Sequence, residues 1–186
     1  NQEKKVVISG TFTISNSLDA KGLYQIIIDE ESRTHQQNGF QTFPDEMLAA
    51  FKNDRRNERH LQIEDFEVYH QFSDDNFGSI LVGEQTFATE STTQDIYSGQ
   101  IIRTIRYHNN HIAIGYIDKK GFIQYLTKIP KNQISLGISN PQFSYIAEKD
   151  ENFIYVIYND NIKNDPEATA ENKNTLSSST KRMQTI

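Results

Sequence analysis

The sequence predicts an all-β chain of antiparallel, β-propeller-like blades, a partial propeller with one short inserted helix. Ile and Val recur in short runs, as strands prefer, and clusters of polar turn residues separate these runs. Two stretches, 66–76 and 143–152, also repeat one order of elements: a strand, an acidic turn that ends in Asn, then Phe and an apolar strand. Such a repeat is typical of architectures that stack one β unit on another.

The bulk composition favours a soluble globular chain and excludes several classes of site. At 186 residues the chain is long enough for one domain with a hydrophobic core. Its net charge of −6, with acids and bases interspersed, argues against nucleic-acid binding. Cysteine is absent, which excludes disulfides and thiolate metal sites. No run approaches the roughly 20 apolar residues of a transmembrane segment.

The strands are predicted from apolar runs and from alternation of apolar and polar residues. The run of three Ile at 26–28 suits a buried strand, and the alternation over 65–72 suits a strand with one buried face. Between them, 30–37 is predicted as a polar loop, Asn38-Gly39 as a turn, and 40–43 as a short strand. The main strands are expected at 6–11, 23–29, 66–72, 80–85, 112–117, 122–128 and 153–158. The residues expected to be buried on them are Ile26, Ile28, Phe66, Val68, Leu81, Ile114, Tyr116 and Phe153.

One helix is predicted to begin near Pro44. Proline at a first helical position, followed by Asp45 and Glu46, is a start signal because it suits the free N–H groups and the helix dipole. The helix and the polar stretch after it form an insertion over about 44–60. The blades then occupy 1–164, and 165–186 is predicted as a polar loop or linker with the start of a further strand. The chain begins with Asn and reaches a strand almost at once, which favours a fragment or a mature chain without its targeting segment.

Four motifs carry a resemblance to a known family. They are Ile80-Leu-Val-Gly-Glu-Gln85, Gly115-Tyr-Ile-Asp-Lys-Lys-Gly121, Lys128-Ile-Pro-Lys-Asn-Gln133 and Ile157-Tyr-Asn-Asp-Asn-Ile-Lys-Asn164. In this order and spacing the chain resembles exported β-propeller-like proteins of bacteria of the Bacteroidota phylum. That family has no assigned activity, so the resemblance implies fold and localisation only: export to the periplasm, the outer membrane or the cell exterior. The Trp often found after the Asp-Gly turn is Tyr125 here.

The resemblance also bears on a long polar stretch, the ribbon, residues 86–107. Asn109-Asn110 is a plausible two-residue hairpin turn. The family pattern instead implies a two-stranded ribbon that runs from Ser79 to a tip near 95–99 and back to Asp118. We favour the ribbon, because Tyr97-Ser98-Gly99 supplies a turn and the polar residues suit exposed strands.

Structural roles explain the possible metal-binding residues better than metal binding does. Asp160, Asn161 and Asp165 offer oxygen ligands for calcium, but Pro166 stands where a calcium loop would need its glycine. A solvated loop without a cofactor is therefore the prediction, with calcium as the alternative. His108 and His111 are three apart, which on a strand directs them to opposite faces.

Acidic pairs and a basic cluster also favour structural roles. Asp74-Asp75 and the acids at 148–151 lie at predicted turns, where Asp is favoured for backbone reasons. The arginines at 55, 56 and 59 are interleaved with acids, which is typical of a solvated face.

The function predicted is a non-catalytic binding or interaction module of an exported or cell-envelope protein, part of a larger protein or assembly. The alternative is a fragment of a propeller hydrolase whose catalytic residues lie outside this chain. The predicted partner is a protein or the remainder of a longer chain, and the ribbon carries residue types enriched at protein interfaces. The partner-binding residues predicted there are Phe87, Ile96, Tyr97, Ile101, Arg103, Ile105, Arg106 and Tyr107.

Overall fold

The computed structural model describes residues 5–14, 19–33, 35–51, 63, 65–73, 78–137, 145–160, 176–177 and 184–185. In this part of the chain the structure is mostly antiparallel β-sheet with one short α-helix, as the sequence predicts. The strands are β1 (Lys5–Phe12), β2 (Gly22–Asp29), β3 (His35–Thr42), β4 (Phe66–Ser73), β5 (Ser79–Gln94), β6 (Ile101–Ile117), β7 (Ile123–Ile129), β8 (Gln133–Leu136), β9 (Tyr145–Lys149), β10 (Ile154–Asp160), β11 (Leu176–Ser177) and β12 (Gln184–Thr185).

The chain divides into two compact units. Unit 1 consists of Asn1–Glu84 and Ile112–Ile129, and unit 2 consists of Gln85–His111 and Pro130–Ile186. The long strands β5 and β6 each contribute residues to both units. No helix in the described part of the chain has the length and apolar character needed to cross a membrane.

Unit 1 contains a three-stranded antiparallel sheet in the order β1-β2-β3, and the strands β4, β5, β6 and β7, each of which pairs with the next. The helix α1 (Asp45–Leu48) begins after Pro44 and continues into a 3₁₀ turn, Ala49–Phe51. Leu48 and Phe51 are buried, which is why this short element packs here without a capping side chain. The core cluster of unit 1 consists of Ala20, Leu23, Phe43, Leu48, Phe51, Ile63, Phe66, Leu81, Ala113, Ile117 and Ile123.

The buried face of β2 differs from the one predicted. Ile26 and Ile28 are only half-buried, and the buried side chains of β2 are Leu23, Gln25 and Ile27. The buried face includes a polar residue, and the amide of Gln25 donates a hydrogen bond to Ser79 Oγ at 2.8 Å. Because a buried amide costs little once it is hydrogen-bonded, the strand can bury the face that carries Gln25.

On β6 the buried face is the one with small residues. Ile114 and Tyr116, which were predicted to be largely buried, are half-buried, while Ala113, Gly115 and Ile117 are fully buried. Leu23 occupies the space that the small residues leave: a Cβ on Gly115 would lie 2.9 Å from Leu23 Cδ1. Close packing, not side-chain size, therefore decides which face of this strand is buried.

Other expectations for buried residues have mixed outcomes. Phe66 and Leu81 are buried, as predicted, and Val68 is half-buried against the core cluster. Phe153 is 64% exposed, so its predicted burial is wrong. Phe153 follows the turn that begins at Asp150, and the backbone N–H of Phe153 donates a hydrogen bond to the Asp150 carboxylate. The ring of Phe153 lies beside the ring of Tyr155. Phe153 is thus a turn residue and precedes the strand.

The segment before the helix also differs from expectation. Asn38-Gly39 is not a turn: β3 begins at His35, and Gly39 is paired with Gln25 of β2. The backbone of Gly39 passes close to Gly121, since a Cβ there would lie 3.0 Å from Gly121 Cα. Gly39 therefore serves a close approach of two backbones. The turn lies earlier, at Asp29, whose carboxylate accepts the N–H groups of residues 31 and 32.

In unit 2, β8 pairs antiparallel with β6 over Arg106–Asn109 and parallel with β11. The other strands form a small antiparallel sheet in the order β12-β10-β9. Asn109 and Asn110 lie inside β6, so they do not form a hairpin turn.

Candidate functional site

The ribbon is formed by the adjacent parts of β5 and β6. These strands meet at the tip, residues 95–99, where the Asp95 N–H donates to the Gln100 carbonyl at 2.9 Å. Since side chains alternate along a strand, the residues predicted on β6 divide between its two faces. Ile101, Arg103, Ile105 and Tyr107 share one face, and Arg106 lies on the other.

The tip is held by hydrogen bonds from its own residues. The carboxylate of Asp95 accepts the backbone N–H groups of Tyr97 at 2.9 Å and Ser98 at 2.8 Å. The Gly99 N–H donates to the Asp95 carbonyl at 2.8 Å, and Gly99 has the positive φ, +70°, that this turn requires. These hydrogen bonds lower the pKa of Asp95, the backbone contact of Ser98 having the largest effect. The turn is therefore an ordered structure that fixes the direction of the residues it carries.

The tip and the adjacent part of β6 expose large apolar side chains. Ile96 is 93% exposed and Tyr97 is 100% exposed. Ile101 is 65% exposed, and Ile102 and Ile105 are also exposed. Single exposed apolar residues are ordinary, whereas here five large apolar side chains are exposed within ten positions.

Cross-strand contacts hold the two strands of the ribbon together below the tip. The rings of Phe87 and His108 stack with centroids 4.4 Å apart, and His108 Nε2 shares a hydrogen bond with Thr89 Oγ1 at 2.9 Å. Burial, and then the charge of Arg106, lowers the pKa of His108, which favours the neutral ring in this stack. Phe87 is half-buried, so it is part of the ribbon's support and does not extend the exposed surface.

The arginines of the ribbon have partners on the opposite strand. Arg103 lies 3.4 Å from the Glu90 carboxylate, and both side chains are largely exposed. Arg106 donates to Ser91 Oγ at 3.2 Å. Contacts of exposed side chains like these are weak, so neither contact holds its guanidinium group firmly in one position.

The other residues singled out from the sequence fall in different places. The two histidines have different neighbours: His108 contacts Phe87, whereas His111 Nδ1 accepts the backbone N–H of Lys131 at 3.4 Å. Asp160 is buried at the end of β10, but Asn161 and Asp165 lie outside the described residues, so the calcium alternative stays a prediction. The acidic turn at 74–76 and the arginines at 55, 56 and 59 also lie outside them. Among the described residues, no group of three or more His, Asp or Glu is placed to hold a metal ion.

Two features were not predicted from the sequence. Lys131 of unit 2 is fully buried, and burial lowers the pKa of its amine from 10.5 to about 7, while the charge of Asp160 acts in the opposite direction. Lysine is almost never buried, and Pro130 before it is a sequence cue only for the end of a strand. In unit 1, a cleft of about 660 Å³ lies between β1 and β4. It depends on how two strands 54 residues or more apart in sequence approach each other, which no local motif encodes.

Comparisons with known proteins assign no family to this site. No protein-family model, no curated protein and no solved structure gives a significant match to this chain.

Proposed function

We propose that the chain is a non-catalytic binding module, and that the ribbon docks a protein partner. The surface involved consists of the tip side chains Ile96 and Tyr97 and the exposed face of β6 that carries Ile101, Arg103 and Ile105. Aromatic residues and arginine are enriched at the centres of protein interfaces, where they supply most of the binding energy.

The observation that carries this proposal is the pairing of order and exposure at the tip. Ile96 and Tyr97 are almost completely exposed, yet the backbone that bears them is fixed by the Asp95 carboxylate. A fixed turn loses little conformational entropy when it binds, so more of the apolar burial is available as affinity. The face of β6 then continues the apolar surface along the ribbon.

We further propose that the module belongs to an exported or cell-envelope protein built from propeller-like blades. The order and spacing of the four family-like motifs support export, with a periplasmic, outer-membrane-associated or extracellular location. The consecutive pairing of β4, β5, β6 and β7 supports blades, because a propeller blade is a four-stranded antiparallel unit. On this proposal β1–β3 and the β9–β10 pair are parts of further blades.

Photo-crosslinking from the tip tests the docking role. Tyr97 is replaced by p-benzoylphenylalanine in the protein expressed in its native cells. Irradiation is expected to give one discrete adduct with another protein. Tyr155, 50% exposed on β10, provides a matched aromatic position for the same replacement, and it should give no such adduct.

A second substitution shows whether the contact is specific. Ile96→Ser, added to the protein with the photoreactive residue at 97, removes an exposed apolar neighbour and should reduce the adduct at least about tenfold, as loss of a hot-spot side chain does. Ile146→Ser removes an equally large exposed side chain from β9 and should leave the adduct unchanged. Equal yields of adduct from positions 97 and 155, or none from either, would reject the ribbon as a docking surface.

A further inference from the structure

Unit 2 buries a polar seam, which consists of Lys131, Gln133, Ser135 and Asp160. The first three alternate along β8 and the residues just before it, so they share one face, and each is at most 1% exposed. Asp160, at the end of β10, is 4% exposed. The side-chain amide of Gln133 donates a hydrogen bond to the Asn159 carbonyl of β10. Polar side chains therefore occupy a face that a β-strand ordinarily buries with apolar ones.

The strands that carry the seam are held by few hydrogen bonds. β8 pairs with β6 over four residues and with β11 over two, and β12 pairs with β10 at Asn159 and Asp160. Gln133 Oε1 is buried and accepts no hydrogen bond from the described residues. Because an unsatisfied buried oxygen loses hydration without a replacement, it destabilises the closed seam. Short ladders and such a group are typical of a region that opens more readily than a hydrophobic core.

A histidine holds the start of this segment to β6. The ladder between β6 and β8 ends at Asn109 and Gln133, and His111 and Lys131 lie two residues further along. There the backbone N–H of Lys131 donates to His111 Nδ1 at 3.4 Å. Because a backbone N–H can only donate, this hydrogen bond requires an Nδ1 that carries no proton. Imidazole ordinarily takes up a proton near pH 6.5, so mild acid removes the acceptor.

The amine of Lys131 responds to acid in the same direction. Burial lowers its pKa from 10.5 to about 7, and the charge of Asp160 acts in the opposite direction. Below pH about 7 the closed seam therefore contains an ammonium group that has lost its hydration. When the seam opens, water reaches the amine, and its affinity for a proton returns to the ordinary value. Acid thus favours the open form.

The other groups that face the seam are of kinds that do not ordinarily titrate near neutral pH. Asp160 on β10 supplies the negative charge that acts on the amine, and Tyr107 on β6 lies opposite Ser135. Carboxyl and phenol groups ordinarily titrate near pH 4 and pH 10. Gln184 of β12, opposite Asp160, has no titratable group. His111 and Lys131 are therefore the groups of this region that respond between about pH 8 and about pH 6.

We propose that the seam is an acid-sensitive joint: proton uptake by His111 and Lys131 opens β8 and β10 locally, while the core of unit 1 stays closed. Protonation of His111 releases the start of β8 from β6, and protonation of Lys131 favours water over the buried face. The docking surface proposed on the ribbon contains none of these residues, so the two proposals stand or fall separately.

Hydrogen exchange of the full chain, measured by mass spectrometry at about pH 8 and about pH 6, tests the proposal. Each rate is divided by the rate of the urea-unfolded chain at the same pH, which removes the intrinsic effect of pH on exchange. The amine alone makes the open form about tenfold more populated at the lower pH, so protection of β8 and β10 should fall at least about tenfold. Protection of β7 and of residues 80–84, which belong to unit 1, should change by no more than about twofold.

Substitutions at the two titrating groups locate the effect. His111→Asn replaces Nδ1 by an amide oxygen, which accepts the same N–H but takes up no proton. Lys131→Met replaces the amine by an apolar side chain of similar length. In the double variant, protection of β8 and β10 should stay within about twofold between the two pH values. Lys120→Met, which removes an exposed lysine from the turn before β7, should leave the tenfold loss unchanged.

Three results would overturn the proposal: unchanged protection of β8 and β10 in the wild-type chain, an equal loss in unit 1, or a full loss in the double variant. An equal loss in unit 1 would mean that acid unfolds the whole chain and does not act at the seam. Should the double variant not fold, the single variants decide. Each is expected to lose less protection than the wild-type chain, and a full loss in both rejects the proposal.

Discussion

Leu81 lies at the centre of the unit 1 core. It is 2% exposed on β5 and belongs to the cluster that also contains Phe66 and Ile117. Leu81→Ala should lower the free energy of unfolding by about 2–5 kcal/mol, because it removes buried methyl groups and leaves a cavity among neighbours from several strands. Urea denaturation of the two proteins measures this change.

Ile146→Ala is the matched control for Leu81→Ala. Ile146 is 59% exposed on β9, so its truncation should change the free energy of unfolding by no more than about 0.5 kcal/mol. A loss below about 1 kcal/mol for Leu81→Ala would mean that β5 is peripheral to the core.

Lys131 makes stability depend on pH in a direction that is unusual for a lysine. Below pH about 7 the amine is protonated in both the folded and the unfolded chain, and the folded chain bears the full cost of burying a charge. Between about 7 and 10.5 the unfolded chain binds more protons than the folded chain. The free energy of unfolding contributed by this group therefore rises with pH across that window.

The prediction is tested by comparing slopes. Lys131→Met removes the titrating amine, so the stability of the wild-type chain relative to this variant should rise from about pH 6 to about pH 9. The slopes of the free energy of unfolding against pH are compared, and not its absolute values. The reason is that Lys131→Met also removes a positive charge near Asp160, which shifts the stability of the variant by a constant. Equal slopes in urea denaturation, or a relative decrease with pH, would contradict a lowered pKa for Lys131.

At the scale of the element, one device recurs at the turns of this chain. Asp95, Asp118 and Asp150 each use a side-chain oxygen to accept backbone N–H groups two to four residues further on. Asp29 does the same before β3. An Asp at the first position of a turn accepts hydrogen bonds from N–H groups that no strand partner reaches, and it leaves the hydrogen bonds between the strands intact. These four carboxylates are thus explained by their structural role.

The strands were predictable from the sequence because their signals are local. Apolar runs and alternation placed β1, β2, β4 and β7 within about one residue of their observed bounds, and Pro44 marked the start of the helix. The strand predicted at 40–43 was placed less well, since β3 begins at His35. The length of β5 and β6 was harder to predict from local composition, because the outer parts of these strands contain Thr, Ser and Gln and resemble a loop.

What could not be predicted depends on contacts between distant residues. The buried face of β2 follows from the Gln25–Ser79 hydrogen bond, and that of β6 follows from the packing of Leu23 on Gly115. Neither partner is near in sequence, so alternation alone leaves the choice of face open. The cleft between β1 and β4 and the burial of Lys131 have the same origin. The tip of the ribbon was predictable because its turn is encoded by adjacent residues, Tyr97-Ser98-Gly99.

At the scale of the whole molecule, unit 1 has a hydrophobic core of its own. Every residue of the core cluster belongs to Asn1–Glu84 or Ile112–Ile129, although 27 positions of unit 2, Gln85–His111, interrupt it in sequence. Those positions are the outer parts of β5 and β6 and the turn between them, and their removal leaves the paired inner parts of both strands. A unit with a complete core and an interruption that can be replaced by a turn should fold independently.

A shortened chain tests this independence. The chain ends at Ile129, and residues 86–109 are replaced by Asn-Gly, the preferred two-residue turn of a β-hairpin. The Phe87–His108 stack and the Asp95–Gln100 hydrogen bond set the register of β5 and β6, and this register places Gln85 and Asn110 opposite each other at the new turn.

The shortened chain is expected to unfold in one cooperative transition on urea denaturation, with the circular dichroism of a β protein. Leu81→Ala in this background should again cost about 2–5 kcal/mol, because the cavity it creates has the same neighbours. A shortened chain that gives a broad, non-cooperative transition, or in which Leu81→Ala has no effect, would mean that the core of unit 1 requires residues of unit 2 to form.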